Sequence, residues 1–303
     1  MEVEVVATVC TVILFVFGLI GNTSIIALFF KVRSLQTVSN TLVTCLAVTD
    51  LIATVLYPIQ CLVDIKVLNN NPECMAFFSV IILVSIAHTF FKLSLSVERY
   101  ITISRPLTYS TILTERRCYI AIVIFTGYSV TIGVLPVMMP LFGNTGSLET
   151  DCRLATVFIN GYTPWIFANW IIPLPVIVAL YIRVFILVKR HVKRIQASEV
   201  TSQICAQNSG FKLRREAKTA LLLFSMVVYF VIVWIPLIIL ILNTDPSERV
   251  MGYIITHFLT YSTSAVSPLI FGFGNKQYRR HFLSILKRRN IDENQIDSVY
   301  HAS

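Results

Sequence analysis

The sequence predicts an all-α membrane protein: a bundle of seven transmembrane helices followed by a short C-terminal amphipathic helix. Two properties of the composition indicate this class. Of the 303 residues, 55% are hydrophobic and only 14% are charged, and the mean hydropathy is +0.74. A soluble domain carries about a quarter charged residues. The third indication is a series of long apolar runs separated by polar connections.

These runs are long enough to cross a bilayer as helices. A hydrocarbon core of about 30 Å requires about 20 apolar residues, and a segment in lipid must satisfy its own backbone amides. The first run has no basic segment before it and no small-residue cleavage site after it, so we expect a retained span rather than a signal peptide. The seven predicted spans are residues 6–30, 40–65, 74–103, 117–140, 163–188, 217–242 and 250–273.

The net charge of +9 is unevenly distributed over the connections. Only Lys66, Arg153 and Arg249 lie in the connections after the second, fourth and sixth spans, whereas basic clusters follow the other spans. The positive-inside rule therefore predicts a multi-pass protein of the plasma membrane, with an extracellular N-terminus and a cytosolic C-terminus. The basic inner surface favours acidic membrane lipids or a protein partner over nucleic acid.

The seven cysteines do not form a disulfide framework, because most of them lie in spans or on the cytosolic side. Cys74 begins the third span and Cys152 follows the fourth, both on the oxidising side, so we predict a disulfide between them. The sequence has no Gly-rich phosphate loop, no metal-spaced Cys/His cluster and no nucleophile–base arrangement. These features favour a protein that is not an enzyme and that needs no cofactor or metal.

Polar residues and prolines occur inside the spans in a specific order. The separation of 25 residues between Cys74 and Arg99 places them about 37 Å apart on a helix, from the outer to the inner surface. In the order of these polar residues and prolines, the chain resembles the rhodopsin-like (class A) G-protein-coupled receptors over nearly its whole length. The motifs that carry the resemblance are Gly21-Asn22, Asp50 with Pro58, Glu98-Arg99-Tyr100, Pro173 with Tyr181, Phe230 with Trp234 and Pro236, and Ser267-Pro268 with Phe271.

The resemblance implies a signalling mechanism in which the sixth span swings outward and opens a cytosolic groove for a heterotrimeric G protein. Prolines kink the helices that move, and Trp234 lies at the floor of the ligand cavity. An ion pair between Arg99 and Glu216 is expected to hold the resting state. The predicted activation switch comprises Glu98, Arg99, Tyr100, Tyr181, Glu216, Phe230, Pro236, Ser267, Pro268 and Phe271.

Four segments depart from the family pattern or extend it. The seventh span has Ser267 and Phe271 where the family usually has asparagine and tyrosine, and the fourth span lacks the usual tryptophan near Tyr128. Residues 275–289 are predicted to form an interfacial helix with an apolar face and a basic face. Residues 290–303 are predicted to form a cytosolic tail.

The resemblance also suggests the class of ligand. Amine receptors of the family carry an aspartate seven residues after the third-span cysteine, where this chain has Ile81, and opsins carry a lysine where it has Tyr261. We therefore expect a neutral or weakly polar extracellular small molecule, as in the melatonin-type or adenosine-type branches. The predicted pocket comprises Gln60, Ile81, Ile82, Ser85, Trp165, Asn169, Trp234, Leu237, Ile238, Ile241, Tyr253, His257 and Tyr261.

Lys92 and His88 are basic residues inside the third span, on or close to the face that carries Arg99. A charged group in the bilayer requires a partner, and Asp50 is the candidate. In relatives this aspartate binds a sodium ion together with a small polar residue, which His88 replaces. We hypothesise that Lys92, with His88, supplies the positive charge instead and raises basal activity. The predicted polar site in the core comprises Asn22, Asp50, His88, Lys92 and Ser264.

Two alternatives to a ligand-activated receptor remain open. A weakly signalling or constitutively active relative is compatible with the changes at Ser267 and Phe271. A seven-helix transporter would require paired ionisable groups along a path through the bilayer, and such groups do not continue through the outer part of these spans.

Overall fold

A computed structural model of the chain describes residues 2–64, 71–138, 162–198, 219–236, 239, 250–274 and 278–279. Within these ranges the chain is helical apart from short connections, and no described residue lies in a β-strand. The all-α class predicted from the sequence is therefore confirmed, whereas most of the predicted C-terminal amphipathic helix lies outside the described residues. The long helices are Glu2–Lys31, Val38–Asp64, Asn71–Ser104, Glu115–Met138, Tyr162–Ile171, Pro173–Ser198, Thr219–Pro236 and Val250–Gly274.

These helices correspond to seven spans, because Tyr162–Ile171 and Pro173–Ser198 together form the fifth. Six of the spans are long and apolar enough to cross a membrane by themselves. In the seventh, the apolar part Phe258–Phe271 is shorter. The interruption of the fifth span at Ile172 has a local cause: Pro173 has no amide hydrogen to donate, so the helix restarts there.

The third span is central in the bundle and packs against the second, fourth and fifth spans, while the first packs against the second and seventh. Polar residues face inward: Asn22, Asp50, Lys92, Glu98 and Arg99 are all buried. Large apolar side chains such as those of the fourth span point outward. This arrangement is the one expected for a bundle whose surroundings are lipid rather than water.

Two glycines permit close approach between neighbouring helices. A Cβ atom at Gly133 of the fourth span would lie 2.7 Å from Leu83 Cβ and 2.8 Å from the carbonyl oxygen of Ser79, both in the third span. A Cβ atom at Gly21 would lie 2.6 Å from the ring of Pro268 in the seventh span. Each glycine therefore sets the separation of a helix pair.

Two short elements follow spans on the cytosolic side of the predicted topology. Arg33–Leu35 forms a 3₁₀ turn after the first span, and Tyr109–Ile112 forms one helical turn after the third. Beyond the seventh span, the buried ring of Tyr278 stacks edge-on against Phe271 at 5.0 Å between centroids. These contacts anchor the chain segments that leave the spans.

Candidate functional site

A cavity of about 90 Å³ lies between the second, third, fifth, sixth and seventh spans. Its wall is mainly apolar and aromatic, with hydroxyl groups and one imidazole. No carboxylate belongs to the part of the wall formed by described residues. That wall consists of Ala53, Leu56, Phe78, Ile81, Val84, Ser85, His88, Trp170, Phe230, Trp234, Thr260, Tyr261, Thr263 and Ser264.

Four residues of the predicted pocket, Ile81, Ser85, Trp234 and Tyr261, line this cavity. Three others face elsewhere. Ile82 is completely buried in the apolar cluster formed with the fourth and fifth spans. The amide of Asn169 accepts a hydrogen bond of 2.6 Å from the hydroxyl of Tyr128 in the fourth span. The side chain of Trp165 is 51% exposed, on the outer surface of the bundle.

Other predicted positions lie outside the described residues or have side chains that are not described. They are Gln60, Leu237, Ile238, Ile241, Tyr253 and His257 of the pocket, Cys74 and Cys152 of the disulfide, and Glu216 of the switch. Residues 290–303 and most of 275–289 also fall there. All these assignments remain predictions.

Trp170 is a cavity residue that the sequence analysis missed. Its indole donates a hydrogen bond of 3.2 Å to the hydroxyl of Ser85, and its ring meets Trp234 edge-on at 4.9 Å between centroids. The family pattern pointed to Trp165 and Asn169, which lie five residues and one residue earlier. Since one residue corresponds to about 100° of helix rotation, only the packing of the fifth span distinguishes these positions.

An aromatic series connects the cavity to the core of the bundle. Trp170 contacts Trp234, whose ring centroid lies 5.3 Å from that of Phe230. The ring of Phe230 is in turn 5.9 Å from that of His88. A displacement of Trp234 would therefore act directly on Phe230 and on the polar residues beneath it.

The polar site in the core centres on Asp50. His88 Nδ1 lies 3.3 Å from Asp50 Oδ1, and Ser264 and Ser267 of the seventh span are close enough to hydrogen-bond the carboxylate. Asn22 donates hydrogen bonds of 2.9 Å to the carbonyl oxygens of Gly18 and Ser264. The predicted members of this site are therefore neighbours in space.

Lys92 lies near enough to Asp50 for their charges to interact, as the sequence hypothesis requires, and it also makes a contact that the hypothesis did not include. Lys92 Nζ lies 3.6 Å from the centroid of the Phe230 ring, in a cation–π contact. It forms no ion pair with a described residue, whereas His88 contacts Asp50 directly. The long side chain of Lys92 reaches the aromatic face, and the shorter imidazole fills the space beside the carboxylate. The two basic groups thus have different roles.

At the cytosolic end, Arg99 is held by its own helix and by the second span. Its Nε lies 3.1 Å from Glu98 Oε2, and its guanidinium donates to the hydroxyl of Ser39. Glu98 Oε1 accepts hydrogen bonds from the hydroxyl of Tyr109 at 3.0 Å and from that of Thr102 at 3.1 Å. Burial and the neighbouring Glu98 raise the pKa of Tyr109, so its hydroxyl remains a donor at physiological pH.

The remaining switch residues lie on packing surfaces of the cytosolic half, except for Pro236, which lies beyond Trp234 towards the outer side. Tyr181 is buried beside Ser96 and packs against Phe224 at 5.2 Å between ring centroids. Tyr100 packs on the small cluster that includes Val184. Pro236 ends the described part of the sixth helix, whereas Pro268 lies inside the seventh. The hydroxyl of Ser267 donates to the carbonyl oxygen of Thr263 at 2.8 Å.

Phe271 makes an aromatic contact that holds the segment after the seventh span, and it makes no polar contact through its side chain. Its ring packs against Tyr278, whose hydroxyl lies beside Thr44 of the second span. Burial raises the pKa of Tyr278. The departure from the family pattern at this position therefore gives an aromatic contact to the segment that follows the seventh span.

Among the described residues, no group of three or more His, Cys, Asp or Glu side chains is arranged to hold a metal ion.

Comparison with known proteins gives a consistent result. The family model described as 7 transmembrane receptor (rhodopsin family) matches residues 21–271. The alpha-1A adrenergic receptor of Oryzias latipes is 28% identical over 90% of this chain, and that of Mus musculus is 26% identical over 90%. The adenosine receptor A3 of Ovis aries is 24% identical over 89% of it. The chain spans 65% and 66% of the two adrenergic relatives and 86% of the adenosine relative.

Proposed function

Because the chain belongs to the rhodopsin family of seven-transmembrane receptors, we propose that it transmits the binding of an extracellular small ligand to a heterotrimeric G protein. Members of this family are multi-pass membrane proteins that are receptors and not enzymes. The observation that carries this proposal is the continuous series of contacts from the cavity through Trp234 and Phe230 to the buried site at Asp50. The receptor acts in the plasma membrane, with its N-terminus outside and its C-terminus in the cytosol, where its basic connections adjoin acidic lipids.

The composition of the cavity wall supports a neutral or weakly polar ligand. Ile81 lines the cavity at the position where amine receptors of the family carry an aspartate. No described lining residue offers a carboxylate to a ligand cation. The likeness to adrenergic receptors therefore does not extend to the group that would hold an ammonium. A mainly apolar wall with a few hydroxyls suits an aromatic or alicyclic molecule with one or two polar atoms.

The proposal is tested by measuring guanine-nucleotide exchange on a panel of G proteins while a library of small molecules is screened. We expect neutral ligands to stimulate exchange, and Trp234→Ala to abolish the stimulation while the variant still reaches the cell surface. Exchange that is high and independent of every ligand would support the alternative of a constitutively active relative. Recovery of amine agonists at low concentration would contradict the ligand class, and ligand-driven current without a G protein would support a transporter.

Removal of the Tyr109 hydroxyl is expected to raise basal nucleotide exchange about two- to tenfold. Tyr109→Phe deletes a hydrogen bond to the carboxylate of Glu98, and such bonds contribute about 1.5–3 kcal/mol. Glu98 then orients Arg99 less firmly. The measurement is basal exchange with one G protein at equal receptor density. Tyr119→Phe is the control because Tyr119 is 55% exposed on the fourth span; equal effects of the two substitutions would contradict the prediction.

Sodium is expected to have no specific effect on this receptor. The imidazole of His88 contacts Asp50 where relatives hold the ion, and Lys92 adds a second basic group nearby. Basal exchange should therefore be equal in equimolar sodium and potassium chloride. The double variant His88→Ser with Lys92→Leu frees the carboxylate and should become sensitive to sodium, whereas Lys92→Leu alone should not. Strong inhibition of the parent protein by sodium would refute this interpretation.

A further inference from the structure

Two buried nitrogen atoms at the cavity have no hydrogen-bond partner among the described residues. They are Nε2 of His88, whose side chain is 8% exposed, and Nε1 of Trp234. Both residues line the cavity. Other polar groups of the wall are already engaged: Ser85 accepts from Trp170, and Thr263 donates to the carbonyl oxygen of Thr260. Within a membrane bundle, an unpaired polar atom costs free energy, so the two nitrogens identify where a polar partner belongs.

The contact with Asp50 determines what kind of partner His88 requires. Asp50 Oδ1 lies 3.3 Å from His88 Nδ1 without the geometry of a hydrogen bond, and the proximity of this carboxylate oxygen favours the tautomer that carries its proton on Nδ1. Lys92 already balances the charge of Asp50 in this region, and a cationic imidazole would leave a net positive charge inside the bilayer. His88 is therefore neutral, and its Nε2, a buried atom of a residue that lines the cavity, carries the lone pair. It accepts a hydrogen bond and cannot donate one.

Trp234 has the complementary requirement. The indole Nε1 carries a hydrogen and can only donate. The inner end of the cavity thus combines one acceptor, on His88, with one donor, on Trp234. A hydroxyl group satisfies the acceptor by donating its hydrogen, and an oxygen lone pair satisfies the donor. An ether or a ketone can serve Trp234 but not His88.

We infer that the inner end of the cavity is a subsite for a hydroxyl group of a neutral ligand, which donates to His88 Nε2 while an oxygen atom of the same or an adjacent group accepts from Trp234 Nε1. The apolar body of the ligand packs against Phe78, Ile81 and Val84. This assignment rests on the proposed receptor function and narrows it from neutral ligands in general to alcohols and phenols. An ammonium fits less well, because the described wall offers it no carboxylate and Lys92 lies against the ring of Phe230, which lines the cavity.

The subsite also gives ligand binding a direct effect on the core. The same imidazole that accepts from the ligand contacts Asp50 through its other nitrogen. A hydrogen bond at Nε2 polarises the ring and strengthens the Nδ1 contact. Binding of a hydroxyl is thus communicated to Asp50 without movement of a helix.

Three probes of similar size test the subsite in the purified full chain: benzyl alcohol, benzyl methyl ether and toluene. The alcohol donates and accepts, the ether only accepts, and toluene does neither. Affinity is measured from the shift of the Trp234 indole N–H resonance, which is assigned by Trp234→Phe in a chain with three tryptophans. We expect the alcohol to bind about tenfold more tightly than the ether. Toluene should bind most weakly, and it should not cause the shift of this resonance that a hydrogen bond to an oxygen atom produces.

Variants assign the donor preference to one nitrogen. His88→Phe keeps a ring but lacks Nε2, so it should bind the alcohol and the ether equally. Tyr119→Phe, at an exposed position of the fourth span that does not line the cavity, should retain the tenfold preference. Equal affinities of alcohol and ether in the parent protein would overturn the inference, and this comparison does not depend on whether a variant folds. Preservation of the preference in His88→Phe would overturn it too.

Failure of the hydroxyl subsite can be distinguished experimentally from failure of the proposed receptor function. Nucleotide exchange is measured on the same preparations. A parent protein that prefers the alcohol but activates no G protein would retain the subsite and contradict the receptor function. A protein that activates a G protein but binds alcohol and ether equally would retain the function and contradict the subsite.

Discussion

Replacement of Asp50 by asparagine is expected to lower the free energy of unfolding by about 3–5 kcal/mol, because it leaves buried basic groups without their counter-charge. Asp50 is 1% exposed and Lys92 5% exposed, so water does not compensate for the loss. His88 also loses the carboxylate that it contacts through Nδ1. The ammonium of Lys92 must then either remain charged beside an aromatic ring or lose its proton, and both alternatives are costly in a membrane bundle.

The pairing is isolated by a double-mutant cycle measured as thermal unfolding in detergent. Lys92→Met alone should cost less than Asp50→Asn, because His88 still contacts the carboxylate. The double variant should recover much of the loss caused by Asp50→Asn, with a coupling of about 0.5–3 kcal/mol. If the two losses simply added, Lys92 would not be the electrostatic partner of Asp50.

Gly133→Ala and Gly127→Ala are expected to change stability in opposite directions, although both glycines lie in the fourth span. The new methyl group at position 133 would overlap Leu83 and the backbone of the third span, where a side-chain rotation cannot relieve the contact. Such overpacking typically costs about 1–3 kcal/mol. At position 127 no atom lies within 4 Å of the new Cβ, so the better helix propensity of alanine should stabilise by about 1 kcal/mol.

The measurement is the unfolding temperature of each purified variant, together with binding of a cavity ligand. The third span carries Ile81 and Ser85 of the cavity wall, so a shift of this helix by Gly133→Ala should also weaken ligand binding. Gly127→Ala should leave binding unchanged. A stabilising effect at both positions would indicate that the third and fourth spans are not closely packed at Gly133.

The sequence predicted the bundle well because its main signals are local. Span length follows from hydropathy and family from motifs such as Glu98-Arg99-Tyr100, whereas the orientation inferred from the basic connections remains a prediction. The helical face of Lys92 and His88 was predicted for the same reason, since rotation along one helix is regular. Each of these inferences requires only residues that are close in the chain.

Other features depend on how separate helices pack, and the sequence alone did not determine them. Trp170, rather than Trp165, lines the cavity because of the way in which the helix Tyr162–Ile171 packs in the bundle. Lys92 has a flexible stem that could reach either Asp50 or Phe230, and only the packed bundle distinguishes the two. The contact from Tyr109 to Glu98 depends on a connection whose path no periodic pattern predicts.

The contact between Gly21 and Pro268 constrains how related sequences can diverge. A side chain at position 21 is incompatible with the proline ring at position 268, because a Cβ atom would lie 2.6 Å from it. We therefore expect the two positions, which are 247 residues apart in the chain, to be inherited as a pair. We expect a descendant that acquires alanine or a larger residue at the first position to have already replaced the proline, so that the order of the two mutations is fixed.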